Sequence, residues 1–440
     1  MNLFRIRNIF TLFIIIIPFQ IYLPTGIAAE FTLAKFLSYI LFFWIIFRFS
    51  IERKEIKLIP LDIFLILWLI IRFISFTQSP DLKISFEEIK SLFFFFAVYL
   101  TTIYAIDANI DIKFHIRNWL YISFVIAVFG IYQIFKGTSG IISFRGLNLM
   151  HLFNGSYIDY IMNYETQRWM IGSGFTRIVG TFWDPNYYCQ YLGFCLPIAM
   201  SMTIHSTTVK ERFIYGLGTV LLIINVIFTF SKSGWICLAL MTIILTIFYT
   251  RKLYFIKTIL IESLLVLPIF LFLVYYLYSG YSIFDLPLKA FRTGFQEDPR
   301  IQLWLAFWEQ IWEHPIVGHG YYAANVYLPH FYKPFLHAHN VYLQLAFSIG
   351  FIGLAVFLVI LILFFRMAYF LYKDSHQQFE KGLALGLIGC FFWFIIGNAT
   401  QDSLFMLKNG MSFWFILGIT ASLYSSAKER KLQGKEINIC

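Results

Sequence analysis

Three side chains of this sequence carry the charge and lone pairs that chemistry on an anionic substrate needs, and each stands at the edge of an apolar run. Arg177 opens the stretch Arg177-Ile178-Val179-Gly180-Thr181-Phe182-Trp183-Asp184-Pro185-Asn186, in which Gly180 allows a turn and Pro185-Asn186 reads as a helix entry. Arg300 follows Asp298-Pro299, an acidic cap with proline at the first helical position. His339 stands in Leu336-His337-Ala338-His339-Asn340, where Asn340 is suited to cap the next helix and the helix dipole disfavours an imidazolium. A neutral imidazole accepts the proton of an attacking hydroxyl. Two arginines can bind a diphosphate through charge-assisted hydrogen bonds and stabilise the charge that develops as it leaves. Each residue also has a plainer reading. Arg177 is then a solvated loop arginine, Arg300 a side chain that snorkels to headgroups, and His339-Asn340 a simple cap. Arg145 and Arg168 are similar but less well placed. Lys232, in Thr229-Phe230-Ser231-Lys232-Ser233-Gly234-Trp235, either touches a phosphate or marks the turn.

Other chemistries have weaker signals. His330, His337 and His339 offer a His-x-His pair without a carboxylate or cysteine nearby in sequence, so no metal is expected. No glycine-rich phosphate loop or dinucleotide fingerprint is present, so no cofactor is expected. A net charge of +10 would suit nucleic acid, but the basic residues are scattered rather than clustered. The cysteines (Cys189, Cys195, Cys237, Cys390, Cys440) mostly fall in apolar segments and read as small buried hydrophobes.

The elements that position these residues are membrane helices. Hydrophobic residues make up 59% of the chain and charged residues 13%, far from the balance of a soluble domain. Apolar runs long enough to cross about 30 Å of hydrocarbon are expected near 8–24, 31–49, 58–77, 89–106, 116–135, 186–204, 213–230, 233–249, 255–279, 341–365, 382–400 and 404–424. Arg5 and Arg7 before the first run resemble a signal peptide, but without a convincing cleavage site it reads as a retained span. Lysines and arginines such as Arg48/Arg53/Lys54/Lys57, Lys210/Arg212 and Arg251/Lys252/Lys257 mark the cytoplasmic ends. Both termini are then cytoplasmic, with a basic tail over 426–440.

One membrane domain, 1–440, with two long outer loops over 136–185 and 280–340 follows from this pattern. Within the second loop, 300–313 reads as an amphipathic interface helix. Trp304, Phe307, Trp308, Ile311 and Trp312 lie on one face, with Gln302, Glu309, Gln310 and Glu313 opposite. Gly350 and Gly353, in the run after His339, are expected to permit close packing against another helix.

At these residues the chain resembles the O-antigen ligase and polymerase family of bacterial glycan-assembly enzymes. His339-Asn340, nine residues, then Gly350-Phe351-Ile352-Gly353 meets the family pattern in full. Arg300…Trp304…His314-Pro315-Ile316-Val317-Gly318-His319-Gly320 looks like the family's large outer loop, and Arg177–Asn186 and Ser231–Trp235 match its earlier blocks. The likeness is strongest over about 175–365. It implies an all-α polytopic fold of the membrane glycosyltransferase type (GT-C-like), in the bacterial inner membrane with the active site on the periplasmic face. It implies an undecaprenyl-diphosphate-linked glycan as donor, in a reaction without metal or nucleotide. By motif position, Arg177 and Arg300 bind the diphosphate, His339 is the essential histidine, and His337, Asn340 and Lys232 are further candidates. The acceptor is lipid A–core oligosaccharide in a ligase, a second lipid-linked repeat unit in a polymerase, and a protein side chain in a third branch; the full motif and span count favour the ligase. A transporter of lipid-linked glycans would instead show paired charges within spans and inverted repeats, but Arg72 and Glu262 are among the few such charges and no repeat is seen. A purely structural or signalling membrane protein leaves the amphipathic helix and both arginines unexplained.

Overall fold

The computed structural model describes residues 3–19, 32–52, 58–107, 111–136, 143–144, 147–148, 170–171, 175–182, 184–249, 299–321, 323–328 and 337–437. In chain order its helices are α1 (Leu3–Ile16), α2 (Leu33–Glu52), α3 (Pro60–Phe76), α4 (Leu82–Asp107), α5 (Ile112–Lys136), α6 (Pro185–His205), α7 (Val209–Phe228), α8 (Lys232–Tyr249), α9 (Pro299–Ile311), α10 (Ala324–Tyr327), α11 (Val341–Asp374), α12 (Gln378–Gly397) and α13 (Leu407–Ile437). A 3₁₀ turn, Ser403–Phe405, joins α12 to α13. Extended structure among the described residues is limited to two-residue ladders, Ser143–Phe144 with Leu147–Asn148 and Met170–Ile171 with Phe175–Thr176.

An all-helical membrane fold is therefore the architecture of the described chain. Eleven of the expected apolar runs coincide with helices, and the run at 255–279 lies outside the described residues. Among the described residues, six segments are long and apolar enough to cross a membrane by length and composition: Glu88–Ala105, Ile112–Ile134, Val209–Phe228, Lys232–Tyr249, Val341–Asp374 and Gln378–Gly397. The expected count of twelve is larger in part because 255–279 lies outside the described residues, α1 and α3 are short, and polar Asn186, Tyr187, Tyr188 and Gln190 dilute α6. Arg145, Arg168, Trp183, Asp298, His330 and Cys440 lie outside the described residues, as do most of the first long loop and, of the second, 280–298, 322 and 329–336.

Packing follows from where the apolar faces go. α12 and α6 form the centre, each buried along most of its length. Small residues let them touch: a Cβ on Gly386 would come within 2.7 Å of the Ile198 Cα. Phe213, Leu217 and Val220 of α7, and Phe43 and Phe47 of α2, are exposed large hydrophobics, as lipid-facing side chains are. The four cysteines within the described residues are all buried and free, as expected.

The long helix α11 is broken at Gly350, whose φ of 69° and ψ of 177° leave the helical region. The expectation of a helix-packing glycine is corrected here. A Cβ at Gly350 would lie 2.0 Å from the Ile316 carbonyl oxygen, so only glycine allows the loop after α9 to lie in the break. The freed backbone groups are taken up by that loop. His319 N–H donates to the Phe347 carbonyl (2.9 Å), Gly320 N–H to Ser348 (3.0 Å), and Phe351 N–H to Pro315 (2.7 Å).

Candidate functional site

Three helix starts and two helix ends meet at the candidate site. Asp184 caps α6, its Oδ1 accepting from Asn186 N–H at 2.6 Å and Tyr187 N–H at 3.2 Å. Asn340 caps α11 in the same way, accepting from Tyr342 N–H (2.9 Å) and Leu343 N–H (3.1 Å). The α11 start is fastened to the turn after α12, because Val341 N–H lies 2.9 Å from the Asn398 carbonyl and 3.2 Å from that of Gln401. That turn delivers Asp402.

Asp402 is fully buried and was not singled out from sequence. Its Oδ1 accepts a 2.7 Å hydrogen bond from the Tyr187 hydroxyl. His339 Nδ1 stands 3.6 Å from the same oxygen, and His337 Nδ1 stands 4.0 Å from Oδ2. These two distances are ion-pair separations rather than formed hydrogen bonds. Burial pushes the Asp402 carboxyl up, but His339, His337 and the Tyr187 hydroxyl outweigh it and hold the group well below the usual carboxylate range. A buried carboxylate thus faces two imidazoles, each about one-third exposed.

His339 itself has a φ of 48°, the left-handed region that a bulky side chain rarely adopts. The segment is held from both sides: Trp304 Nε1–H donates to the Ala338 carbonyl at 2.8 Å, and Ala338 N–H donates to Gln344 Oε1 at 2.9 Å. The surroundings enforce the strained backbone.

Arg177 and Arg300 approach from two other elements. Arg177 Nε–H donates to the Thr229 carbonyl (2.6 Å) at the end of α7, and Nη2–H donates to Asn186 Oδ1 (2.9 Å) at the start of α6. Burial pushes the Arg177 guanidinium below its usual range; Asp184 opposes that effect and the charge of Arg300 adds to it. Burial likewise raises the Asp184 carboxyl, against Arg177, its two capped N–H groups and His339. Arg300, in the first turn of α9, donates from Nη1 to the Thr400 carbonyl at 3.4 Å. The backbone oxygen it meets lies two residues before Asp402.

The helix expected at 300–313 runs Pro299–Ile311. Leu303, Phe307 and Ile311 are buried, whereas Trp308 and Trp312 are exposed, 44% and 58% respectively. Trp312 packs on Trp308 (ring centroids 5.5 Å) and on Phe351 (5.6 Å), which leaves an aromatic surface on the outside of the bundle.

The structure therefore brings together Arg177, Arg300, His337, His339 and Asn340, and leaves Lys232 exposed at the first residue of α8. Sequence reading passed over Asp402, Tyr187 and the capping role of Asp184. A clue was available for Asp402, an acidic residue in the few positions between two apolar runs. Lys408 was also missed: it is buried in α13, donates from Nζ to the Thr181 carbonyl at 2.5 Å, and lies 4.7 Å from the Phe182 ring centroid. Arg72 is buried in α3, where Nε–H donates to the Tyr321 hydroxyl and the guanidinium lies 4.6 Å from the Trp68 ring. Among the described residues, no group of three or more His, Cys, Asp or Glu is arranged to hold a metal ion.

Residues 217–358 match the family model described as O-antigen ligase, and the resemblance read from the sequence is borne out over that segment. The match includes Lys232, Arg300, His337, His339, Asn340 and the break at Gly350; Arg177 and Asp402 flank it. No curated protein matches the chain.

Proposed function

We propose, from the kinship of residues 217–358 with O-antigen ligases, that this chain moves a glycan from undecaprenyl diphosphate to an acceptor hydroxyl. The observation that carries the reading is the meeting of Asp402 with His337 and His339 beside Arg177 and Arg300. The acceptor hydroxyl oxygen attacks the anomeric carbon of the donor sugar, and its proton passes to His339. The bond from that carbon to the phosphate oxygen breaks, and the diphosphate leaves with the electron pair. Asp402, on the Nδ1 side of His339, favours the tautomer with the proton on Nδ1 and so leaves Nε2 to act as base. Arg177 and Arg300 hold the diphosphate and offset the charge it gains in the transition state. Asn340 keeps His339 at the start of α11, and His337 adds a second imidazole on Asp402. Lys232 contributes at most a distant positive charge.

The donor diphosphate lies at the membrane surface, so the site is read as periplasmic. The positive-inside charges support an inner-membrane enzyme with both termini cytoplasmic. Lipid A–core oligosaccharide is the favoured acceptor, in keeping with the full His339–Gly353 motif.

Purified protein supplied with lipid-linked donor and acceptor should transfer glycan without energy input, and H339A should not. Transport without transfer would overturn the reading. The lipopolysaccharide ladder of a deletion strain separates the acceptors. Loss of all long chains with accumulated lipid-linked polymer marks a ligase, and a core-plus-one-unit band marks a polymerase.

A further inference from the structure

Gln133 lies in α5, outside the segment matched to the family and apart from every residue given a role above. It is buried, and its amide is spent on one turn. Oε1 accepts from Val179 N–H (3.0 Å) and Gly180 N–H (2.9 Å), and Nε2–H donates to the Gly180 carbonyl (2.9 Å). A side-chain amide that both accepts from and donates to a short backbone stretch fixes its position and orientation, as a neighbouring strand would. The end of α7 holds the same stretch: Ile178 N–H donates to the Phe228 carbonyl (3.1 Å), and Arg177 Nε–H to that of Thr229 (2.6 Å). Close approach is built in at both contacts. Gly180 has a φ of 56°, and a Cβ on Gly130, one turn before Gln133, would come within 2.0 Å of Asn225 Oδ1 and 3.0 Å of Ile178 Cγ2.

We infer that Gln133 is a positioning residue for Arg177, holding the Ile178–Gly180 turn so that the guanidinium meets the substrate diphosphate. A buried amide in an apolar helix costs free energy unless it is hydrogen-bonded, and these bonds tie α5 to the backbone that carries the arginine. The inference rests on the reading that Arg177 binds the donor diphosphate.

A double-mutant cycle on the full-length protein in detergent, with lipid-linked donor, tests it. R177A should lower kcat/KM for the donor by about 10²-fold. Q133L should lower it by about tenfold, and in the R177A background should add almost nothing, because residues acting through one group are not additive. An unaffected Q133L beside a crippled R177A overturns the inference, as does full additivity, which marks a general packing role. A fully active R177A overturns the diphosphate reading itself, and this inference falls with it.

Q133E guards against simple misfolding. Ionised, it sets a carboxylate against the Gly180 carbonyl; protonated, it restores both a donor and an acceptor. Its activity relative to wild type should rise as pH falls, because the added proton restores the donor that Nε2–H supplies to the Gly180 carbonyl. A flat ratio equal to that of Q133L would overturn the inference.

Discussion

Tyr187 and Asp402, 215 residues apart in sequence, are joined by a buried 2.7 Å hydrogen bond between the start of α6 and the turn before α13. This contact places a carboxylate where both imidazoles of the His337-Ala338-His339 segment reach it. Asp402 is thus a shared support of the site.

D402N keeps the shape and removes the charge. Transfer should fall by about 10²-fold or more if the carboxylate orients the base, and Y187F should show a smaller loss. The Asp402 pKa is depressed on folding, so its contribution to stability is present above the ordinary carboxylate value of about 4 and is lost as pH falls below it. Melting of wild type and D402N across pH checks the sign: the wild-type advantage should shrink in acid.

H339N separates the chemistry of His339 from its backbone. Asparagine tolerates the left-handed conformation that His339 adopts. The variant should remain folded, melting lower than wild type only by what the lost His339–Asp402 interaction contributes, yet lose transfer by about 10²–10⁴-fold, the range for removal of a general base. Activity within a few-fold of wild type would remove His339 from the mechanism.

G350A should destabilise the protein by more than the roughly 1–2 kcal/mol of a left-handed non-glycine residue, because its Cβ would also press on the Ile316 carbonyl. G353A should cost less, since its nearest obstacle is the movable Ile349 side chain. Thermal unfolding of the two variants in detergent gives the comparison.

His319 is buried with neither ring nitrogen hydrogen-bonded, stacked on Phe347 with centroids 4.7 Å apart and with Glu313 Oε2 3.9 Å from Nε2. Burial, and then His314, push its pKa below the ordinary value, against the charge of Glu313. As pH falls through about 6.5, the unfolded chain therefore binds a proton that the folded chain resists, and stability declines. H319F, which keeps the stacking, should flatten this decline in a pH series of melting temperatures.

The sequence by itself determined the helical membrane class, the positions of eleven apolar helices, the Asn340 cap and the glycan-transfer kinship. Hydropathy, capping and motif spacing are local properties, written within a few turns of chain. Only the tertiary structure decided that Asp402 faces the histidines, that Gln133 grips the turn beside Arg177, and that Gly350 breaks α11 rather than packing it. The side of α9 that meets the bundle was decided the same way, by docking of Phe307 on Phe347 with ring centroids 4.9 Å apart. Partners so far apart in sequence depend on which helix ends meet, and no local pattern records that. A buried carboxylate between two spans is legible only as a residue that needs a partner; which partner it finds is settled when α6, α11 and α12 pack.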